Sequence, residues 1–358
     1  MVNELSESLE QIQVRRFQDA IRAADDGKRK LRIRGGGSRD FYGARLEGDL
    51  LDTCDYKGIV EYEPTELVLT ARAGTLLGEI EATLARSGQM LPFEPPHFDP
   101  ESTFGGCIAS GFSGPRRAYQ GAARDFVLGV RMLNSHGEDL QFGGQVMKNV
   151  AGYDVSRLLT GSFGTLGLLL DISVKVLPIP ETEQTLQLEL NEARAIETMN
   201  RWAGMPLPLS ATCYVDNALY VRLSGAEPAV AAAARQLGGD AIDGVEFWQS
   251  IREQTHPFFS QTHPLWRLSI KSTTAPLDLG PTLLEWNGSL RWINAKGTLD
   301  DFHAAAASAG GHATAFRPET RPAVIQKLPP AMMKLQKKIK DALDPAGIFG
   351  PHRLHDEF

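Results

Sequence analysis

The stretch Arg34-Gly35-Gly36-Gly37-Ser38-Arg39-Asp40, with Gly43 just beyond it, decides how the first half of this chain is read. It runs straight on from Leu31 to Arg34, which has the make-up of a short strand. Consecutive glycines let backbone N–H groups converge on an anion with no Cβ in the way. The flanking arginines supply positive charge suited to a diphosphate. Taken alone, a glycine-rich turn reads as well. Two other phosphate loops do not fit. A GxGxxG dinucleotide loop would need glycine where Asp40 stands and a helix after it. A P-loop needs a GK[ST] run, and none exists.

Working outward, two more glycine-bearing segments follow. Ser102-Thr103-Phe104-Gly105-Gly106-Cys107-Ile108-Ala109-Ser110-Gly111 ends a Pro- and Gly-rich stretch, Leu91 to Gly114, expected to be a long structured loop with one helical turn. Gly152-Tyr153-Asp154 and then Gly161-Ser162-Phe163-Gly164-Thr165-Leu166-Gly167 feed an apolar strand, Leu166 to Leu177. Before the first loop, Leu9, Ile12, Phe17, Ala20, Ile21 and Ala24 fall on one face of a helix that Gly27 stops. Strands are expected at Leu50–Thr53, Gly58–Tyr62 and Leu67–Ala73, a helix at Thr75–Arg86, and a hairpin from Phe126 to Phe142. Pro178-Ile179-Pro180 marks a boundary. Strands and helices then alternate, all five Trp lie in this half, and a basic helix spans Pro330 to Leu343.

The 358 residues carry 37 basic and 44 acidic side chains, a net charge of -7, which argues against nucleic acid or an anionic membrane as main partner. At about 150 residues per domain the length suggests roughly two domains, and 42% apolar with 23% charged residues is a soluble globular composition. No run approaches the roughly 18 apolar residues of a membrane span, and the acidic, polar first residues do not read as a signal peptide. Cys54, Cys107 and Cys213 are too few and too dispersed for an iron–sulfur cluster or a disulfide framework, so a reduced cytoplasmic setting is expected.

In this order and spacing the three glycine-bearing segments resemble the FAD-binding domain of the vanillyl-alcohol oxidase/p-cresol methylhydroxylase (PCMH) superfamily, over about residues 20–180. Lys148-Asn149-Val150-Ala151-Gly152-Tyr153-Asp154, Gly311-His312-Ala313-Thr314 and Asp344-Pro345-Ala346-Gly347-Ile348-Phe349 narrow the resemblance to the E-type FAD-binding subunit family of glycolate oxidase, over nearly the whole chain. The resemblance implies an α+β fold. A PCMH-type FAD-binding domain of two α/β subdomains would take residues 1–180, an antiparallel-sheet cap 181–330, and a C-terminal segment, 331–358, would return to the FAD domain. It also implies that the first loop grips the FAD pyrophosphate and the other two line flavin and adenine. The cofactor-binding residues would be Arg34, Gly35, Gly36, Gly37, Ser38, Arg39, Pro95, Ser102, Thr103, Gly105, Gly106, Ser110, Gly111, Gly161, Gly164, Gly167 and Leu168. Superfamily members that hold flavin covalently use a histidine two residues after the paired loop glycines; Ser38 stands there, so non-covalent FAD is expected. Relatives' tails often read Asn-Pro-Gly-Arg, whereas this one reads Gly350-Pro351-His352-Arg353, so no flavin contact is carried over to the tail.

The implied function is that of the FAD-binding subunit of a glycolate oxidase (glycolate dehydrogenase) complex that oxidises a small 2-hydroxy acid. Its partners would be a second flavoprotein and an iron–sulfur subunit, and its place cytoplasmic, with peripheral attachment to the inner membrane through the complex left open. Two alternatives stand beside it: an electron-relay or structural flavoprotein whose partner oxidises the substrate, and a free-standing FAD-dependent alcohol or sugar oxidase. The histidine-rich metal motif of related D-2-hydroxyacid dehydrogenases has no equivalent, and the eight histidines are scattered, so no metal is expected. A 2-hydroxy acid needs a cation for its carboxylate and a base for its hydroxyl proton. Arg222, Arg267, Lys271, Arg291 and Arg317 offer the first, and His312 the second. For each taken singly a solvated or structural role reads better, which leaves His312, Arg267 and Lys271 as weak candidates and no catalytic residue assigned. One or two of Arg39, Arg116, Arg117 and Arg124 are expected to serve the phosphates. An exposed apolar or aromatic patch for a partner is expected on the Trp-bearing cap or the basic helix.

Overall fold

The first helix, Leu9–Asp26, shows how local signals become packing. Ser8 caps it, with a reciprocal bond to Gln11, and Gly27 ends it. Val14, Phe17, Ile21 and Ala24, spaced three and four apart, form its buried face. Leu9 and Ile12, expected on that face, are 81% and 49% exposed instead. The computed structural model describes residues 8–144, 154–260, 263–317 and 328–355.

That helix lies against a parallel pair of strands, Leu31–Arg34 and Asp49–Asp52. A second, antiparallel sheet runs in the order Ile59–Glu63, Val68–Arg72, Leu168–Lys175, Val127–Leu133, Asp139–Gly143. Its middle strand is mostly buried because both faces are covered. Leu168 and Leu170 pack with Phe17, Ile21 and Phe349. Leu169, Ile172 and Val174 belong to a core with Leu77, Ile80 and Phe104. Within the Pro-rich stretch the expected single turn is a two-turn helix, Phe104–Ser110.

Beyond Pro180 a single antiparallel sheet of eight strands forms, in the order Asp240–Ile242, Thr182–Glu189, Ala218–Gly225, Leu209–Val215, Thr282–Glu285, Leu290–Asn294, Leu265–Ser269, His312–Arg317. Helices Glu192–Ala203 and Glu227–Leu237 cover part of one face. All five Trp are buried in it, so the aromatic patch expected on its surface is absent among the described residues. Exposed apolar side chains are scattered, among them Val245 beyond Pro180 and the pair Met332 and Leu335 on the C-terminal helix Pro330–Leu343.

The tail after that helix returns to the first strand. Leu31 donates to the Ile348 carbonyl (2.7 Å) and accepts from Gly350 (2.9 Å). Lys340, one of the lysines of this basic helix, is buried. Its ammonium bonds Asp344 and the carbonyls of Thr165 (2.6 Å) and Phe349 (2.7 Å), which pins helix, tail and third glycine segment at one point.

The Leu91–Gly114 stretch runs between the two large sheets and is fastened to the second. Glu94 accepts a bidentate pair from Arg222 (2.9 and 2.8 Å), with Arg116 alongside at 3.7 Å. Glu253 accepts the backbone N–H groups of His97 (2.9 Å) and Phe98 (3.0 Å). The Trp286 indole donates to the Gly114 carbonyl at 3.0 Å. Burial alone would raise the Glu94 carboxyl, but Arg222 and Arg116 hold it below the ordinary carboxylate range. Glu94→Ala would leave the buried Arg222 guanidinium without its carboxylate, while Arg116 keeps Glu183. It is expected to cost about 3–5 kcal/mol in chemical denaturation; a loss under about 1 kcal/mol would show that this seam does not hold the halves together.

Candidate functional site

The glycine run makes a close approach within the protein first. A Cβ on Gly35 would fall inside the Thr103 side chain, and one on Gly36 inside the Glu101 carbonyl. Only glycine lets this loop lie against the start of the Phe104–Ser110 helix, whose cap is Thr103. Gly106, in that helix, differs: within the protein its Cβ would meet only the Thr103 hydroxyl, at 3.1 Å.

Between the two segments lies a cleft lined by Arg32, Arg34, Gly35, Gly36, Gly37, Ser38, Arg39, Asp40, Arg45, Glu47, Thr103, Gly106, Ser110, Phe163, Gly164, Gly350 and Arg353. Five arginines against two carboxylates make it strongly positive. Arg34 is partly neutralised by Asp40 at 2.9 Å. Arg39 is spent on structure: its guanidinium bonds Ser38 (2.7 Å), Ser102 (2.7 Å) and the Pro96 carbonyl (2.5 Å). The Nε of Arg32 is buried without a hydrogen bond among the described residues. A glycine-walled cleft with surplus guanidinium charge and an unsatisfied buried donor fits a diphosphate.

A larger cleft continues from it, sharing Ser110 and Phe163. Gly111, Phe112, Gly161 and Tyr42 line one side, Leu158, Leu166, Met332, Leu335 and Ile339 another, and Arg267 and His312 the wall from the second sheet. Tyr42 stacks on Phe163 at 5.0 Å. Burial against the cleft and the nearby Arg267 cation hold the His312 imidazole below its ordinary range, so it is neutral at pH 7.

Arg267 and Phe112 also face a third, small cavity in the seam, about 30 Å³, room for roughly two or three water-sized groups. Its wall also includes the aromatic rings of Phe98, Trp286, Trp292 and Phe316 and the polar side chains of Ser113, Arg252, Gln254 and Glu285. Arg267 lies over the rings of Trp286 (5.4 Å) and Trp292 (5.8 Å) and has no hydrogen bond or ion pair among the described residues. Trp286 and Asn287 both hold left-handed backbone, φ 53° and 59°, fixed in place by Tyr119 and Thr212 on the Asn287 side chain. Non-glycine residues held this way cluster at functional sites.

Of the expected cofactor residues, Arg34, Gly35, Gly36, Gly37, Ser38, Arg39, Thr103, Gly106, Ser110 and Gly164 meet in the first cleft, and Gly111 and Gly161 join in the second. Pro95, Ser102, Gly105, Gly167 and Leu168 line none of the three spaces: Ser102 holds Arg39, Gly105 packs on Ala73, and Gly167 packs on Met132 where the core strand begins. Of the run from Lys148 only Asp154 lies within the described residues, where it caps a short helix, Val155–Leu159. Among the candidate cations for a carboxylate, Arg222 is paired with Glu94, Arg291 is buried on the Thr274 and Ala275 carbonyls, and Arg317 covers Phe41 at 5.0 Å. Lys271 is exposed and lines none of these spaces. Among the loop arginines, Arg116 belongs to the Glu94 cluster, Arg117 stacks on Trp286 at 4.3 Å, and Arg124 is exposed beside Asp125. The sequence reading missed Tyr42, Phe163, Glu285 and the tail: Gly350 and Arg353 line the first cleft despite the altered motif. Among the described residues no three His, Cys, Asp or Glu side chains group as a metal site, and no helix is long and apolar enough to cross a membrane.

Comparison with known proteins agrees with this geometry. Residues 13–143 match the family model of the FAD binding domain. The fold is similar to that of p-cresol methylhydroxylase solved with substrate bound, with a TM-score of 0.70 over 95% of this chain and 87% of that one at 14% identity. It is also similar to alkyldihydroxyacetonephosphate synthase, with a TM-score of 0.62 over 92% and 73% at 13% identity. Glycolate oxidase subunit GlcD of Bacillus subtilis is 35% identical over 36% of this chain and 27% of its own length. Glycolate oxidase subunit GlcE of Escherichia coli is 46% identical over 95% of this chain and 96% of its own length. The α+β chain with a glycine-loop cleft and an eight-stranded antiparallel sheet thus belongs to the family of glycolate oxidase subunit GlcE.

Proposed function

We propose that this chain binds FAD non-covalently along the two continuous clefts and works as the FAD-binding subunit of a glycolate oxidase complex, oxidising a small 2-hydroxy acid. In this reading residues 1–180 are the FAD domain, 181–330 the cap, and 331–358 the returning segment. The observation that carries it is Arg267, a guanidinium with no ion pair or hydrogen bond among the described residues, placed where the cofactor cleft meets the small seam cavity.

When bound, FAD supplies the two-electron redox chemistry. The glycine loop and the 103–111 segment hold its diphosphate, with Arg32 and Arg34 as counter-charges. Arg267 holds the substrate carboxylate against the indoles of Trp286 and Trp292. The neutral His312 imidazole, beside Arg267, is placed to accept a proton. The chain's three cysteines are dispersed, so the electrons leave through a partner that carries one-electron centres, an iron–sulfur subunit alongside a second flavoprotein. Exposed Leu158, Met332 and Leu335 offer that partner an apolar contact, and the complex, rather than this chain, sets any peripheral position at a membrane.

Gly36 and Gly106 separate packing from cofactor binding. Gly106→Ala is expected to leave the apoprotein as stable as wild type, or firmer by about 0.5 kcal/mol from helix propensity, while weakening FAD binding at least tenfold. Gly36→Ala is expected to lower the melting temperature of apo- and holoprotein alike. Wild-type FAD affinity in Gly106→Ala would contradict the placement of the diphosphate. Acid precipitation should release all the flavin into the supernatant. Anaerobic addition of glycolate to the FAD-loaded chain should bleach the flavin absorption band, and glycolate-dependent dye reduction should rise when the partner subunits are added; a band unmoved by glycolate would assign the oxidation to a partner.

A further inference from the structure

The seam cavity contains a second group with no direct ion pair among the described residues. Glu285, at the end of the strand Thr282–Glu285, is buried and accepts one hydrogen bond, from the Trp292 indole at 2.8 Å. Its other oxygen has no hydrogen bond among the described residues, and no ion pair joins it to Arg267. The remaining charges around the cavity are already matched. Arg252 pairs with Glu253 (2.8 Å) and Glu81 (3.6 Å), and Glu94 with Arg222 and Arg116. Cys213, opposite Glu285 in the neighbouring strand, is a thiol pushed well above its ordinary range by burial and by Glu285 itself, and so is neutral. Arg117 stacks on Trp286 (4.3 Å) without lining the cavity, and its guanidinium is near enough to Arg267 to repel it, with Asp125 as a weaker counter-charge. Among the described residues that line the cavity, Arg267 and Glu285 are the cation and the carboxyl without an ion pair, left to balance whatever enters.

Resting on the functional reading above, we infer that the carboxylate end of a small 2-hydroxy acid is held in this cavity between Arg267 and Glu285, the rest of the acid lying in the adjoining cleft, and that its binding draws one proton from solvent onto Glu285. With Arg267 and an ionised Glu285 the empty cavity is neutral. A bound carboxylate adds a second negative charge in a space walled by Trp286, Trp292, Phe98, Phe112 and Phe316. Like charges in such surroundings cannot both stay ionised at little cost, and a proton on Glu285 restores neutrality. The protonated carboxyl then donates a hydrogen bond to an oxygen of the ligand, where the ionised one would repel it. Protonation here costs little, because burial, with a further push from Glu94, already raises Glu285 to about 7 against the opposing pull of Trp292 and Arg267. The cavity thus selects a small monoanion carrying a second oxygen near its carboxylate, and binds it more weakly as the pH rises.

The test uses the FAD-loaded chain and oxamate, a monoanionic 2-hydroxy acid mimic with no C–H to lose. Calorimetric titration at pH 8 in buffers of different ionisation enthalpy reads the protons exchanged. Uptake of about one proton is expected, with affinity falling roughly tenfold per pH unit above the Glu285 titration. Glu285→Gln is expected to bind oxamate with no proton uptake and a flat pH profile, and Arg267→Met to weaken binding about 100-fold at every pH, both with melting curves close to wild type. Proton uptake that persists in Glu285→Gln, or unaltered binding in Arg267→Met, would overturn the inference. So would a flavin-bearing chain that does not bind oxamate, an outcome that leaves the cofactor assignment intact. A chain that retains no flavin would instead reject the functional reading, and the inference with it.

Discussion

The burial of Glu94 constrains everything near the site. A carboxylate at that depth is tolerable only with its charge matched, and Arg222 and Arg116 match it from the second sheet and the seam. Pairing fixes where the Leu91–Gly114 stretch runs, and that stretch touches each functional space. Its Glu101 and Thr103 receive the glycine loop, its Pro96 carbonyl and Ser102 take up Arg39, and its Phe98, Phe112 and Gly114 wall the seam cavity. The left-handed backbone of Glu94 (φ 47°) and Phe98 (φ 62°) shows that packing overrides local preference here.

The charge around the site is arranged by neutralisation as much as by placement. Several arginines near it are already satisfied by carboxylates or carbonyls, and surplus charge remains at the glycine-walled cleft and at Arg267. Those are the two ends that an extended dinucleotide cofactor and a small acid would need. The aromatic rings of Tyr42, Phe112, Phe163 and Phe316 pack on one another along the path between them.

Much of this was legible in residue order. The glycine run after a short strand, the capped first helix, the hairpin and the apolar strand entering at Gly167 depend on local chemistry and neighbours in sequence. What was not legible depends on distant partners. The reason Gly36 must be glycine is a carbonyl sixty-five positions away, and no local pattern reveals it. Arg39 looked like a phosphate ligand until Ser102 and Pro96 were seen to hold it. Leu9 and Ile12 share the helical spacing of Phe17 and Ile21 but overhang the end of the core. The five Trp suggested a surface because composition does not say which face of a sheet is covered. Glu285 had no signal at all: one acidic residue ending one strand becomes notable only when Arg267 stands across the same cavity without another anion.

The central claim is spatial: one flavin cofactor extends from the glycine loop to the seam, with its reacting end beside Arg267. A crystal structure of the FAD-loaded chain tests this most directly. The diphosphate should lie against Gly35 to Ser38 and Gly106, and the ring system should reach the wall formed by Tyr42, Arg267 and His312. A diphosphate bound away from the glycine loop, or a ring system ending on the far side of the first cleft from Arg267, would contradict it.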